Sequence, residues 1–199
     1  MDTTNKTIGI LALQGDYDAH RKMLEERLGV QTTYVRTVAE LRRADALVLP
    51  GGESTTIAKL MDRIGLDKAI QTRVGAGMPV YGTCAGLILL AKDIEGCPDQ
   101  PTLDLMDISV ARNAFGRQID SFEADIPFGS EAEPVRGVFI RAPYVTEAEE
   151  NVEILSRFQE KIVAVRQGNL LGIAFHPELT DDTRVHAYFV AMVENSSVA

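Results

Sequence analysis

A chain of 199 residues, 45% hydrophobic and 25% charged, is long enough for one well-filled core and has the balance of an ordinary soluble globular protein. Its formal charge of −9 argues against a nucleic-acid groove or an anionic membrane surface, since both call for clustered Lys and Arg. No linker, internal repeat or low-complexity tract interrupts it, so one domain is expected over residues 1–199.

The start, Met1 to Lys6, is polar, and no apolar run approaches the roughly 20 residues that span a bilayer. Two cysteines, Cys84 and Cys97, are too few for a disulfide framework and fit a reducing compartment, so the expected location is the cytoplasm. No group of Cys, His, Asp and Glu has metal-ligand spacing; no metal is expected.

In chain order, the first half alternates as a parallel α/β sheet does. Thr7 to Leu13 is nearly all apolar and reads as a strand covered on both faces. A helix follows from about Tyr17 to Leu28, with Asp16 as its cap and Gly29 as its stop. Thr32 to Val35 reads as a second strand, and Thr37 with Glu40 as a capping box opening a short helix through Arg43. Ala46 to Leu49 makes a third strand. It ends at Pro50-Gly51-Gly52, which is either a plain strand-to-helix turn or a place where backbone approaches a ligand at the carboxyl edge of the sheet. Helices are predicted over Thr55 to Ile64 and Leu66 to Val74.

Beyond Asp93 the texture changes. Leu105 to Arg112, Ser121 to Ile126, Val135 to Ile140, Val152 to Arg157 and Ile162 to Arg166 are short and rich in Val, Ile and Phe, and read as strands, some antiparallel. Gln167-Gly168-Asn169 has the composition of a hairpin turn into Leu170 to Phe175. A last helix is expected from about Asp181 to Glu194, with a frayed tail over Ser196 to Ala199.

The chemistry concentrates at Pro79 to Ala91. Val80 and Tyr81 form a short apolar strand, Gly82-Thr83-Cys84-Ala85-Gly86 a turn of small residues, and Leu87 to Ala91 the start of a helix. Small neighbours let the backbone turn tightly enough to hold Cys84 up in the open, as a nucleophile elbow must. At a helix N-terminus the thiolate is favoured, and the N–H of Ala85 is placed to stabilise an oxyanion. Taken alone, a cysteine between glycines is as readily a small core hydrophobe.

A cysteine nucleophile needs a base and a group to orient it. Gly172-Ile-Ala-Phe-His176-Pro177-Glu178 reads as a strand ending in His176, and residues two apart on extended chain share a face, so Glu178 can hold the imidazole. His20 reads instead as solvated on a charged helix flank, His186 as structural or exposed, and Cys97 as a loop thiol without a role. Arg112 and Arg141 stand at predicted strand ends, where a guanidinium fork can grip a carboxylate; Arg117 reads as a surface arginine.

Gly82-Thr83-Cys84-Ala85-Gly86 with His176-Pro177-Glu178 resembles the class I, or triad, glutamine amidotransferases. Leu13-Gln14-Gly15-Asp16, Pro50 to Thr55, Arg112 to Gln118, Phe139 to Pro143 and His176 to Thr180 narrow the resemblance to the glutaminase subunits of pyridoxal 5′-phosphate synthases, over about Ile8 to Val193. The resemblance implies an open, mostly parallel twisted sheet of flavodoxin-like order flanked by helices, with additional antiparallel strands in the second half. It implies Cys84, His176 and Glu178 as a catalytic triad acting through a γ-glutamyl thioester, Gly52 and Ala85 as oxyanion donors, and L-glutamine contacts at Gly52, Glu53, Ser54, Arg112, Ile140 and Arg141. The implied partner is the synthase subunit, with the Gln14-Gly15-Asp16 loop in the contact and activity low until it docks; no cofactor is implied for this chain itself. Family patterns often carry glycine where Asp104 stands, here read as surface variation.

Two other readings remain at this point. An α/β-hydrolase with a cysteine nucleophile shares the elbow spacing but places its acid before its histidine, and is usually longer. A non-catalytic binding subunit would be expected to lack a triad member, and none is missing.

Overall fold

The computed structural model describes residues 6–112 and 121–196. Its ten-stranded mixed sheet runs in the order β2-β1-β3-β4-β12-β11-β9-β6-β5, with β10 paired to β11, and a separate two-stranded sheet joins β7 and β8. The strands are β1 (Thr7–Leu11), β2 (Gln31–Val35), β3 (Ala46–Leu49), β4 (Val80–Thr83), β5 (Ala91–Ile94) and β6 (Met106–Ala111), followed by β7 (Ser121–Ile126), β8 (Val135–Ile140), β9 (Tyr144–Ala148), β10 (Glu153–Phe158), β11 (Lys161–Gln167) and β12 (Leu170–Ile173).

The parallel half follows from composition. β3, β4 and β12 are buried at every position, as strands with helices on both faces must be. The helices are α1 (Tyr17–Lys22, continuing as a π-helical turn over Met23–Arg27), α2 (Val38–Leu41), α3 (Ser54–Ile64), α4 (Leu66–Gly75), α5 (Ala85–Leu90) and α6 (Arg184–Asn195). Asp16 caps α1 by accepting from the Ala19 N–H at 3.3 Å, as expected. The capping box at Thr37 also forms: the Glu40 N–H donates to Thr37 Oγ1 at 3.3 Å, while Glu40 Oε2 accepts from the Arg36 N–H at 2.8 Å.

Several boundaries differ from expectation. The helix after Cys84 is short, because Ala91 already begins β5, whose exposed Lys92 and Asp93 give it no apolar run to read. β9 also went unread for its mixed burial. The final helix starts three residues late: Pro177–Leu179 forms a single 3₁₀ turn, and Asp182 then accepts from the Arg184 N–H at 3.0 Å. Asp104 is exposed, as read, but its φ is +48°, a left-handed backbone that favours glycine. The Asn113 to Gln118 stretch and Arg117 lie outside the described residues.

What positions the site is the register of three parallel neighbours. Leu49 of β3 lies beside Gly82 of β4, and Thr83 of β4 beside Ile173 of β12. The segments that leave these strands therefore emerge side by side at one carboxyl edge: Pro50-Gly51-Gly52, Cys84, and Ala174-Phe175-His176. The β7–β8 pair is fastened over this edge. Phe139 stacks on Phe122 with centroids 4.5 Å apart and packs on Phe175 at 5.5 Å, and the His176 N–H donates to the Val138 carbonyl at 2.7 Å.

Candidate active site

Cys84 sits between β4 and α5 with φ +49° and ψ −100°, a conformation that costs a non-glycine residue on the order of 1–3 kcal/mol. Its neighbours make the turn possible. A Cβ on Gly86 would lie 2.1 Å from the Leu49 carbonyl oxygen, so only glycine lets α5 approach β3 this closely. The Cys84 N–H donates to the Ile173 carbonyl at 2.8 Å, which ties the elbow to the strand that carries His176.

His176 is buried, with 9% of its surface exposed, and its Nδ1 lies 2.7 Å from Glu178 Oε1. Burial opposes a charge on this ring, but hydrogen bonds to Cys84 and Glu178 and their negative charge more than offset it, raising its pKa to about 10. Gly51 closes on the other side of the ring: a Cβ there would stand 2.5 Å from His176 Cε1. The Glu178 side chain is fully buried, which opposes its charge, yet its carboxyl is held well below the usual range, because its interactions with His20 and the hydrogen bond from His176 outweigh desolvation.

His20 is therefore not solvated. It is 0% exposed, with Nε2 3.0 Å from Thr83 Oγ1 and 3.5 Å from Glu178 Oε1, and Nδ1 3.0 Å from His186 Nε2. His186 is likewise fully buried, the structural one of its two expected roles. Burial first, and the neighbouring His20 second, push His186 down to about 3, so it is neutral. The expectation for His20 failed because its sequence neighbours Asp18 and Arg21 are charged, whereas its helical neighbours Met23 and Leu24 are buried. The i, i+3, i+4 pattern was the signal that could have found it.

On the open side of Cys84 a narrow cleft of about 60 Å³ is lined by Gly52, Glu53, Ser54, Cys84 and Ala85, and by Ile88, Arg112, Ile140 and Arg141. Every substrate-contact and oxyanion position expected from the sequence thus meets in one place. The Ile140 carbonyl lies 3.9 Å from Cys84 Sγ, and Arg141, with φ +43°, turns the chain directly after it. Arg112 donates to Gln100 Oε1 at 2.5 Å and to Glu53 Oε1 at 3.2 Å.

Two polar side chains complete the surroundings: Gln100, which the sequence did not point to, and Gln14, expected only as part of the partner-contact loop. Gln100 donates to Ser54 Oγ at 2.9 Å and accepts from Thr55 Oγ1 at 3.1 Å as well as from Arg112, so it links the start of α3 to the end of β6 at the cleft. Gln14 Oε1 accepts from the Glu53 N–H at 2.7 Å, which fixes the loop after β3. Cys97 is a free, half-buried thiol. Among the described residues no group of His, Cys, Asp and Glu is arranged to hold a metal ion, and no helix is long and apolar enough to cross a membrane.

The fold these elements define is that of the class I glutamine amidotransferases. A solved structure described as a glutamine amidotransferase matches with a TM-score of 0.90 and 46% identity, covering 94% of this chain and 98% of that one. PurLQS from Thermotoga maritima shares the fold alone, with a TM-score of 0.67 at 16% identity over 94% of this chain and 97% of that one. The chain belongs to the SNO glutamine amidotransferase family, whose model matches residues 10–195. Among curated relatives, it is 51% identical to the pyridoxal 5′-phosphate synthase subunit PdxT of Carboxydothermus hydrogenoformans over 187 residues, 94% of this chain and 97% of the relative. It is 54% identical to the protein of the same name from Frankia alni over 191 residues, 95% of this chain and 96% of that one.

Proposed function

We propose that this chain is the glutaminase subunit of a pyridoxal 5′-phosphate synthase: it hydrolyses L-glutamine to L-glutamate and ammonia. The ammonia passes to a synthase subunit that builds pyridoxal 5′-phosphate from ribose 5-phosphate and glyceraldehyde 3-phosphate. The observation that carries the reading is Cys84, held at positive φ on a strand–helix elbow, with His176 beside it across Gly51 and hydrogen-bonded through Nδ1 to the buried Glu178. Family membership and the two relatives at about half identity point to the same activity. The triad is complete, which leaves the non-catalytic reading without support, and the acid follows the histidine, against the α/β-hydrolase order.

In the proposed mechanism the thiol proton already rests on His176, and Cys84 Sγ, as the thiolate, attacks the side-chain amide carbon of glutamine. Charge moves to the amide oxygen, where the N–H groups of Ala85 and Gly52 receive it. His176 returns the proton to the amide nitrogen, ammonia leaves, and a γ-glutamyl thioester remains on Cys84. Water, deprotonated by His176, then attacks the thioester; glutamate departs and the thiol is restored. Glu178 keeps the imidazole in one orientation and stabilises its charged form.

Arg112 is the proposed partner of glutamine's α-carboxylate, with Glu53, Ser54, Ile140 and Arg141 around it. At rest its guanidinium is engaged by Glu53, a pair in which Glu53 is half-exposed and which is worth at most about 1 kcal/mol. A hydrogen bond to a charged partner contributes about 1.5–3 kcal/mol, so exchanging Glu53 for the substrate carboxylate is favourable. The loop Gln14-Gly15-Asp16, fastened to the Glu53 amide through Gln14, is the proposed point where the synthase subunit acts on the oxyanion donors. Two free cysteines fit a cytoplasmic setting.

The test is glutamate release from glutamine by the chain alone and with its synthase partner, with Cys84→Ala as control. Release that rises with the partner and vanishes in the variant is expected. A Cys84→Ala protein that still releases glutamate at the wild-type rate would overturn the reading.

A further inference from the structure

Behind Glu178 lies a buried chain of polar groups that the mechanism above does not use: Thr83, His20 and His186. All three are 0% exposed. Tyr81 walls them in, its ring 5.8 Å from His20 and 5.5 Å from His186, both edge to face, and its own buried hydroxyl is pushed well above the usual value by burial and by the Glu178 charge. Buried polar side chains are unfavourable unless each hydrogen-bonding group finds a partner. Core packing by itself gives no reason for two imidazoles here, where a Leu and a Phe would fill the space.

The proton positions follow from that rule. Among the described residues, His186 Nδ1 has no protein partner and is buried, so a proton there would be a stranded N–H. A neutral His186 therefore carries its proton on Nε2 and donates it to His20 Nδ1 at 3.0 Å. His20 must then be protonated on Nε2, which faces Thr83 Oγ1 at 3.0 Å and Glu178 Oε1 at 3.5 Å. Any arrangement with a proton on His20 Nδ1 strands the one on His186. With His20 Nε2 bare, its lone pair would also point at a carboxylate oxygen. The 3.5 Å separation is long for a hydrogen bond, so the contact is chiefly electrostatic, with the N–H shared toward Thr83.

We propose that His20 is a positioning residue for the glutaminase reaction: it presents an N–H from Nε2 to Thr83 and to the Glu178 oxygen that holds His176, and His186 fixes it in that tautomer. This rests on the proposed glutaminase function. Glu178 Oε1 is then approached from two sides, by His176 Nδ1 and His20 Nε2, and cannot swing away when the imidazole gains or loses its proton. Thr83 closes the circuit: it is the last residue of β4 and the immediate neighbour of Cys84, so elbow and base are tied to one buried donor.

The experiment has two arms. In the ¹⁵N-labelled full chain, long-range imidazole correlations should show His20 protonated at Nε2 and bare at Nδ1; a proton on Nδ1 would overturn the proposal, whatever the catalytic activity. For His20→Leu, assayed with the synthase subunit, kcat should fall about tenfold, the loss expected for one buried hydrogen bond together with the electrostatic contact beside it, with KM for glutamine unchanged. His20→Gln, whose amide can offer N–H near the place of Nε2, should recover most of that loss. A folded Leu variant with wild-type kcat, or a Gln variant no better than Leu, would also overturn it; if Leu does not fold, the Gln variant and the spectrum decide. A wild-type chain inactive on glutamine would instead sink the functional reading, and the spectrum would still report the proton positions.

Discussion

The two sides of the His176 ring are built differently. Behind it, Glu178, His20, Thr83 and His186 are buried side chains that face one another in the core. In front, Glu53, Arg112 and Gln100 are exposed or half-exposed groups whose bonds to each other a ligand can take over. The back is buried from solvent, so its electrostatics are fixed before substrate arrives and are felt strongly at low dielectric. In the proposed mechanism the front exchanges partners at every turnover, and the contacts it would exchange are partly exposed and correspondingly weak. Rate should therefore be set from behind and affinity from the front.

The largest effect that would break this division is expected at Glu178. Glu178→Gln keeps the shape but loses the charge facing His176, and kcat should fall on the order of 10²- to 10⁴-fold with KM little changed; a rate within twofold of wild type would show that Glu178 does not hold the base. Next comes Arg112→Ala. Removing the partner proposed for the α-carboxylate should raise KM about tenfold to a hundredfold while leaving kcat nearly intact, and steady-state kinetics showing the loss in kcat instead would erase the distinction between the two sides. Gln100→Ala should act in the same direction but by only several-fold in KM, since a neutral hydrogen bond contributes about 0.5–1.5 kcal/mol.

A separate effect is expected on stability against pH. His176 is raised from 6.5 to about 10 in the folded protein. The stabilisation its protonated form supplies is fully present below pH 6.5 and is lost as pH rises through about 10. The stability difference between wild type and His176→Asn, measured by urea unfolding, should therefore narrow across that window. A difference that stays flat would mean that the ring is not protonated at neutral pH.

Much of the front and centre was legible in the sequence because the signals are local. Small residues around Cys84 predict the elbow, and two-residue spacing puts His176 and Glu178 on one face. What the sequence could not give is the neighbourhood of β4 and β12, strands 90 positions apart in register, as Val80 beside Leu170 and Thr83 beside Ile173 show. Only a long-range parallel pairing brings Cys84 to His176. His20 was misjudged because charged sequence neighbours obscured its place on the apolar face of α1, and Gln100 stands in a loop without periodicity. Asp104 records the reverse lesson: a departure from glycine that looks like surface variation sits at a backbone angle glycine prefers.

The most direct test of the central claim is intact-protein mass spectrometry of the chain quenched in acid during turnover of glutamine with the synthase subunit. A γ-glutamyl adduct on the peptide containing Cys84, absent from Cys84→Ala and accumulating in Glu178→Gln if thioester hydrolysis slows more than its formation, is the predicted result. Steady glutamate release with no adduct on Cys84, undiminished in Cys84→Ala, would contradict it.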